Sequence, residues 1–402
     1  MHILFFADHH PDSLGGVQTS LMLQKKFLER AGHTVTMVVS RRYRRNRRLE
    51  GMIEVPALPV PPTGAYSIEP SLKLAYRTVQ RKLAKMAMPV DIVHIQADMW
   101  GAILGAAWAK DHGLPLVQTV HTNLEVGISH TFGKTLTQRV AQVMNAWAAS
   151  MLGHDAPKNT KDIWAFKEQI SRHANFVTSP SGHFAKELVK HKVVENALVF
   201  PNGVDDDVVE GIRPVVHEDK NRELDFVWAG RLSSEKRVTE FIGAFQTADL
   251  DNVHLNIYGS GQLEAKVRLV LVQLGLSHKV TFHGRLPHRD LVARFAQADL
   301  VAQSSVGFET QGMTVYESIA VGTPVFVADP KIAAELPEAN VWLSKTPSVD
   351  DMARAMVRAA KDIRSGNTKR ALDTGDWSVL QSQITAKMIE IYKQAIKQGP
   401  KL

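Results

Sequence analysis

Short apolar runs alternate along this chain with longer stretches in which apolar residues recur every three or four positions. HILFFA from His2, HTVTMVVS from His33, DIVHIQ from Asp91, PLVQTVH from Pro115 and NFVTSP from Asn175 read as strands. Between the first two, VQTSLMLQKKFLERAGH carries its apolar residues at helical spacing and stops at Gly32. A second series starts near Leu224 and runs LDFVWAGR, VHLNIYGSG, KVTFHG, DLVAQSS and PVFVAD, each followed by a helical pattern. Strand and helix alternating in this way predict an α/β fold with parallel sheets. The two series predict two Rossmann-like domains joined around FPNGVDDDVVEGIRPVV. The first covers 1–205 and the second 206–377, and a last helix, 378–402, is expected to begin near Trp377. In open parallel sheets ligands lie beyond the carboxyl ends of the strands, so the loops there are where chemistry is expected.

Length and composition agree with this picture. The chain has 402 residues, 44% hydrophobic and 22% charged, enough for two cores and unlike a disordered or fibrous sequence. Its lack of cysteine excludes disulfides, thiolate metal sites and a cysteine nucleophile, and fits a reducing cytoplasm. MHILFFADHHPDSLGG reads as a strand entering a loop and not as a signal peptide, and no apolar run reaches the roughly 20 residues that a bilayer span needs. Charge is unevenly placed. Residues 1–200 hold 24 Lys and Arg against 15 Asp and Glu, a balance of +9 within a total of +7, so the remainder stands at −2.

Candidate chemistry concentrates in FETQGMTVYESIAVGTPVF. Glu309 falls in the loop before a predicted helix and Glu317 about a turn inside it. Gln311 lies between them, and the amides of Gly312, Met313, Thr314 and Val315 would be the unpaired donors of the helix N-terminus, which attract phosphate. Two carboxylates able to grip sugar hydroxyls therefore flank an anion site. Arg231 and Lys236 in AGRLSSEKRV also follow a strand, where they would stabilise the charge that develops on a departing diphosphate. Gly15 and Gly16, between the first strand and first helix, permit close backbone approach to a ligand. Gly259 and Gly261 form a G-x-G after a strand, but Glu264 stands where a dinucleotide fingerprint needs its third glycine. Asp205-Asp206-Asp207 is formally a D-x-D, a metal-binding pattern elsewhere, but is far in sequence from the phosphate candidates. A lone histidine such as His121 is more often a packed residue than a reactive one, and His94 is expected to be structural or to support a neighbour at the site.

The segment around Glu309 and Glu317, with its tail YESIAVGTPVFVAD, resembles the E-x7-E signature of the retaining glycosyltransferases of family 4, which have the GT-B fold. The AGR element with Lys236, the Gly15-Gly16-Val17 element and PNGVD from Pro201 resemble the same family, and the ETQG form looks like that of bacterial diacylglycerol glucosyltransferases. This resemblance implies two Rossmann-like domains facing each other across a cleft, with the C-terminal helix crossing back. It implies a nucleoside-diphosphate sugar as donor, UDP-glucose-like or GDP-mannose-like, no metal or other cofactor, and retention by same-face attack in which the leaving phosphate helps deprotonate the acceptor. Glu309 would hold the donor sugar's hydroxyls, Glu317 the ribose, Arg231 and Lys236 the diphosphate, and His121 would sit by the reacting centre. Gly259 and Gly261 would keep the nucleotide site open, Arg285 and Leu286 would lie near the base, and Thr122, Asn123 and Glu125 would shape the acceptor side.

Two basic elements bear on the acceptor. RRYRRNRR supplies Arg41, Arg42, Arg44, Arg45, Arg47 and Arg48, and the segment 72–88 reads as an amphipathic helix. Lys73, Arg77, Arg81, Lys82 and Lys85 there surround Leu72, Leu74, Tyr76, Leu83 and Met86. Both suit the anionic inner face of the cytoplasmic membrane and a lipid or lipid-linked acceptor. A soluble sugar or metabolite acceptor, a nucleotide-sugar epimerase and a nucleic-acid binder remain as alternatives. The last lacks aromatic interleaving and leaves Glu309, Glu317, Arg231 and Lys236 without a role.

Overall fold

The computed structural model describes residues 1–11, 15–41, 51–59, 67–86, 88–215, 217, 219, 221–338, 341–367 and 379–401. The chain divides into two compact units, Met1–Gly203 with Gln381–Leu402, and Val204–Leu380.

The first unit contains β1 (His2–Phe6), β2 (Thr34–Ser40), β3 (Met52–Val55), β4 (Leu58–Pro59), β5 (Ser67–Ile68), β6 (Ile92–Ile95), β7 (Leu116–Thr119), β8 (Phe176–Ser179) and β9 (Leu198–Val199). Among the described residues β4 and β5 form a small antiparallel pair, and the other seven make one sheet in the order β3-β2-β1-β6-β7-β8-β9. Its pairings are parallel, as in β1 on β2 with Ile3 opposite Val35 and β1 on β6 with Ile3 opposite Ile92. A parallel sheet is covered on both faces, which is why β1 reads as an unbroken apolar run and is buried throughout. One face packs on helices Trp100–Asp111, Lys134–Leu152 and Ile163–Ser171 through Leu104, Met144 and Phe166. The other is covered by Leu21 and Leu28 of helix Gly16–Arg30 and by Met388, Tyr392 and Ala395 of the C-terminal helix Gln381–Gln398.

The second unit contains β10 (Leu224–Ala229), β11 (Val253–Tyr258), β12 (Val280–Gly284), β13 (Leu300–Gln303), β14 (Val325–Val327) and β15 (Val341–Leu343). They form a parallel sheet in the order β12-β11-β10-β13-β14-β15. In each sheet the strand order reverses beside the unit's first strand, between β1 and β6 and between β10 and β13. The loops leaving those strands flank the switch points, where open sheets receive ligands.

Three expectations shift. The strands β3, β4, β5, β9 and β15 are not among those the pattern predicts. The last helix begins at Gln381, not near Trp377, and residues 377 and 378 lie outside the described set. The basic helix is Leu72–Leu83, and its apolar side faces inward: Leu72, Ala75 and Val79 are buried, and Tyr76 and Leu83 pack on the core. Ser71 caps it through Leu74 N–H, and Leu74, Met86 and Met88 remain exposed beside the lysines and arginines. Of the arginine run only Arg41 is described, and it is exposed; Arg42, Arg44, Arg45, Arg47 and Arg48 lie outside the described residues.

Candidate active site

In the second unit the predicted residues gather at the carboxyl ends of β10, β11 and β13. The loop after β10 carries Arg231 and Lys236, and Arg231 donates to Glu235 at 2.9 Å. Burial pushes the Glu235 carboxyl up, but the Ser233 hydroxyl, its own backbone amide and Arg231 outweigh this and leave it below the ordinary value. Lys236 makes an ion pair with Glu309. Its carbonyl accepts from Ser304 Oγ at 2.7 Å, and that hydroxyl accepts from the buried Trp228 indole at 2.9 Å, so the lysine's backbone is fixed from below. On the other side of Glu309, Asp329 accepts from Gly307 N–H at 2.7 Å and braces the loop.

Glu317 is the fifth residue of helix Met313–Ala320 and is buried, 5% exposed. Its partner is His288, whose Nε2 lies 2.7 Å from Glu317 Oε1. His288 opens helix His288–Gln297, directly after the loop that carries the exposed Arg285 and the half-buried Leu286. Sequence reasoning missed this residue; FHGRLPHRD offers only a histidine at a helix start, with nothing to mark a carboxylate as its partner. Gly312 caps the Glu317 helix at φ 83°, a left-handed conformation suited to glycine. The Val315 N–H is already taken by the Gly312 carbonyl at 3.1 Å. That removes Val315 from the expected anion set: the amides without a partner inside the helix are those of Gly312, Met313 and Thr314. Gln311 is buried.

Gly259 and Gly261 have a packing role in the structure. A Cβ on Gly259 would lie 1.8 Å from the Gly230 carbonyl oxygen, and one on Gly261 would lie 2.4 Å from that of Leu232. These glycines let the loop after β11 lie flat on the loop that bears Arg231. The contact is held by Gly230 N–H to Tyr258 O at 3.1 Å and Leu232 N–H to Ser260 O at 3.0 Å. They therefore place Arg231.

In the first unit Gly15 and Gly16 are exposed where helix Gly16–Arg30 begins, and Gly15 is in extended backbone at φ 168°. His121 follows β7 and is buried, with Nε2 2.6 Å from Gln96 Oε1. Burial pushes its imidazole down to about 4, with Asp98 opposing and Lys167 adding to the effect, so the ring is neutral at pH 7. Asp98 and Lys167 are themselves a buried pair at 2.8 Å. Asn123 caps helix Leu124–Phe132 through Val126 N–H at 3.3 Å, and Glu125 accepts from the Trp164 indole at 2.9 Å, so both have structural tasks. His94 is structural as expected, fully buried between Tyr392 and Thr119. Asp205 caps helix Asp206–Val209 by accepting from Asp207 N–H at 3.1 Å. Among the described residues no group of three or more His, Cys, Asp or Glu side chains is placed to hold a metal ion, and no helix is long and apolar enough to cross a membrane.

Both units match families of known sequences. Residues 14–208 match the family described as Glycosyltransferase Family 4, and residues 216–371 match Glycosyl transferases group 1. The chain belongs to the family 4 glycosyltransferases. It is 24% identical to the alpha-monoglucosyldiacylglycerol synthase of Streptococcus pneumoniae over 97% of this chain and 82% of that protein. It is 26% identical to a GDP-mannose-dependent alpha-(1-6)-phosphatidylinositol dimannoside mannosyltransferase of Mycobacterium tuberculosis, over 91% and 88%. Among solved structures, sucrose-phosphate synthase from Thermosynechococcus elongatus superposes with a TM-score of 0.72 at 15% identity over 99% of both chains. Anabaena HepE in complex with UDP and glucose gives 0.68 at 17% identity over 98% of this chain and all of that one. The fold of this glycosyltransferase is thus GT-B.

Proposed function

We propose that this glycosyltransferase moves a hexose from a nucleoside-diphosphate sugar to a lipid or lipid-linked acceptor at an anionic membrane face, with retention and without a metal ion. The observation that carries the donor side is the Lys236–Glu309 ion pair at the switch point of the second sheet, with Arg231 on the same loop. A cation and a carboxylate locked together there supply one group for the diphosphate and one for the sugar hydroxyls. Arg231 and the Met313 and Thr314 amides add donors for the leaving phosphate. In the transfer, the bond from the anomeric carbon to the phosphate oxygen breaks as the acceptor oxygen bonds to that carbon from the same face. The acceptor proton passes to the departing phosphate. Glu317, held by His288, takes the ribose, and we assign neutral His121 of the first unit to the transfer step.

The lipid acceptor is supported by relatives whose names specify diacylglycerol and phosphatidylinositol substrates. It is supported also by the exposed Lys73, Arg77, Arg81, Lys82 and Lys85 beside Leu74, Met86 and Met88. Each basic group near an anionic surface contributes about 1 kcal/mol. These groups support the reading of a peripheral protein at the cytoplasmic face. Thermal-shift titration with UDP, GDP and ADP and their sugars identifies the donor. Transfer to diacylglycerol in vesicles with and without phosphatidylglycerol, with and without EDTA, then tests the rest. The reading expects stimulation by the anionic lipid and indifference to EDTA. Equal transfer to a soluble sugar without vesicles points to a soluble acceptor, and strict Mg²⁺ dependence rejects the metal-free site.

A further inference from the structure

Behind His121 runs a buried chain of hydrogen bonds that reaches both the first helix and the C-terminal helix. Gln96 Nε2 lies 2.5 Å from Gln24 Oε1 and 3.3 Å from His94 Nδ1, and Gln96 Oε1 lies 2.6 Å from His121 Nε2. Gln24 Nε2 donates to Ser20 Oγ at 3.0 Å, and Ser20 Oγ donates to Asn202 Oδ1 at 2.7 Å. His94 Nδ1 faces the Tyr392 hydroxyl at 2.6 Å, while its Nε2 faces Thr119 Oγ1 at 2.7 Å.

With the Gln24 amide donating to Ser20 and Ser20 donating to Asn202, these contacts accept one order of protons. Gln24 spends its amide N–H on Ser20, so its oxygen accepts from Gln96 Nε2. The second Gln96 N–H points at His94 Nδ1, which must then carry a lone pair; Tyr392 O–H donates to the same nitrogen, and His94 Nε2–H donates to Thr119. Gln96 has both hydrogens committed, so its oxygen faces His121 as an acceptor. His121 Nε2 therefore bears the ring proton and Nδ1 bears the lone pair. A reversed Gln96 amide would set its N–H groups against His121 and its oxygen against Gln24 Oε1 and the His94 lone pair, two repulsive contacts in a buried site where unmet polar groups are costly.

We propose that Gln96 is a positioning residue for the transfer reaction: it fixes His121 as the Nε2–H tautomer and holds the ring so that Nδ1 serves as its acceptor atom. Tyr392 of the C-terminal helix acts one step further back, by holding His94 and through it the Gln96 amide. The proposal rests on the assignment of His121 to the reacting centre. Among the described residues Asp98 and Lys167, which pair with each other, are the charged groups that act on the ring, and burial keeps it neutral down to about 4. Gln96 thus sets which nitrogen is protonated, not whether the ring is charged.

The test uses the full-length chain with ¹⁵N-labelled histidine, the His121 signals being assigned by their loss in His121→Asn. The expected wild-type result is a protonated Nε2, an unprotonated Nδ1 and no titration between pH 5 and 8. Gln96→Leu is expected to release the tautomer and lower kcat on the order of tenfold, since small misplacements at a reacting centre reach ~10²-fold, with donor KM little changed. Gln96→Glu, close in shape, guards against a folding defect. Its carboxylate still accepts from Nε2 but raises the His121 pKa, and an inflection between pH 5 and 8 should enter the kcat profile. A His121 ring protonated at Nδ1 in the wild type overturns the proposal. So does a Gln96→Leu enzyme whose tautomer is lost while kcat and its pH profile stay as before. If no donor sugar is turned over by the wild type, the transferase reading fails instead, and the tautomer remains readable by itself.

Discussion

Lys236 and Glu309 stand 73 residues apart in the chain and meet as an ion pair at the switch point of the second sheet. Each partner holds the other's side chain in place, so neither contribution is separable from the other. Replacing one leaves a half-buried charge without its counter-ion. We expect Lys236→Ala and Glu309→Gln each to lower kcat by about 10²-fold, the cost typical of losing one transition-state group. The double variant should lose far less than the product, with a coupling of about 1–3 kcal/mol. Strictly additive losses, measured as initial transfer rates, would mean that the two act on separate parts of the reaction.

The Glu317–His288 contact predicts a different kinetic signature. Glu317→Ala removes a buried acceptor together with the tether of the loop carrying Arg285 and Leu286. Donor Kd, measured by calorimetry, should rise about tenfold, the cost of one charge-assisted hydrogen bond. His288→Ala should shift donor affinity in the same direction with a smaller change in kcat. Unchanged affinity in both would remove Glu317 from the donor site.

Gly259 and Gly284 separate crowding from backbone strain. Both have positive φ, 139° and 73°, but a Cβ on Gly284 meets nothing within 4 Å, whereas one on Gly259 strikes the Gly230 carbonyl. Gly284→Ala should cost about 1 kcal/mol through its backbone conformation. Gly259→Ala should cost about 3 kcal/mol or more and shift the Arg231 loop, so that donor affinity falls along with the melting temperature. Chemical denaturation and donor titration of the two variants provide the check.

Acid dependence offers a test in the first unit. The Asp8 carboxylate accepts from the amides of Asp98, Met99 and Gly101 at 2.7, 2.9 and 2.9 Å, capping helix Trp100–Asp111 from β1. Burial nevertheless outweighs these bonds and lifts its pKa from 3.8 to about 6. The folded state therefore binds the extra proton between those values. The stability this contributes is complete below 3.8 and is lost as pH rises through about 6. His94 and His121 work in the opposite sense. Pushed down to about 3 and about 4 by burial, they stay neutral in the fold while the unfolded chain takes up protons below 6.5, so their effect is to destabilise on acidification. Asp8→Asn removes the first term alone. Its stability should rise with pH more steeply than the wild type's between 4 and 6, by up to about 1.4 kcal/mol per pH unit, as followed by urea unfolding.

What could be read in the sequence was local. Glu309 and Glu317 are close in the chain and joined by one loop and one helix, so their spacing already implied a shared site, and AGRLSSEKRV placed its cations at a strand end. What could not be read depended on where distant segments meet. Nothing in FHGRLPHRD shows that His288 reaches Glu317, and a glycine in IYGSGQL does not reveal that another loop's carbonyl lies against it. The basic helix shows a further limit. Its apolar and charged positions were visible, but an apolar stripe has the same spacing whether it faces lipid or a domain core, and here Leu72, Ala75 and Val79 face the core. Gln96 carried no signal at all, since its importance lies in the direction of its hydrogen bonds.

The C-terminal helix gives the enzyme a particular order of assembly. Tyr392, Met388 and Ala395 complete one face of a sheet whose first strand begins at His2. During synthesis, the opening domain must wait with that face uncovered while the whole of Val204–Leu380 is made and can fold. Its last contacts close a loop spanning nearly the entire chain, which makes them slow to form and entropically costly. The N-terminal domain leaves the ribosome before Val204–Leu380 yet is finished after it, and a chain that stops short of Gln381 leaves that face bare and His94 without Tyr392.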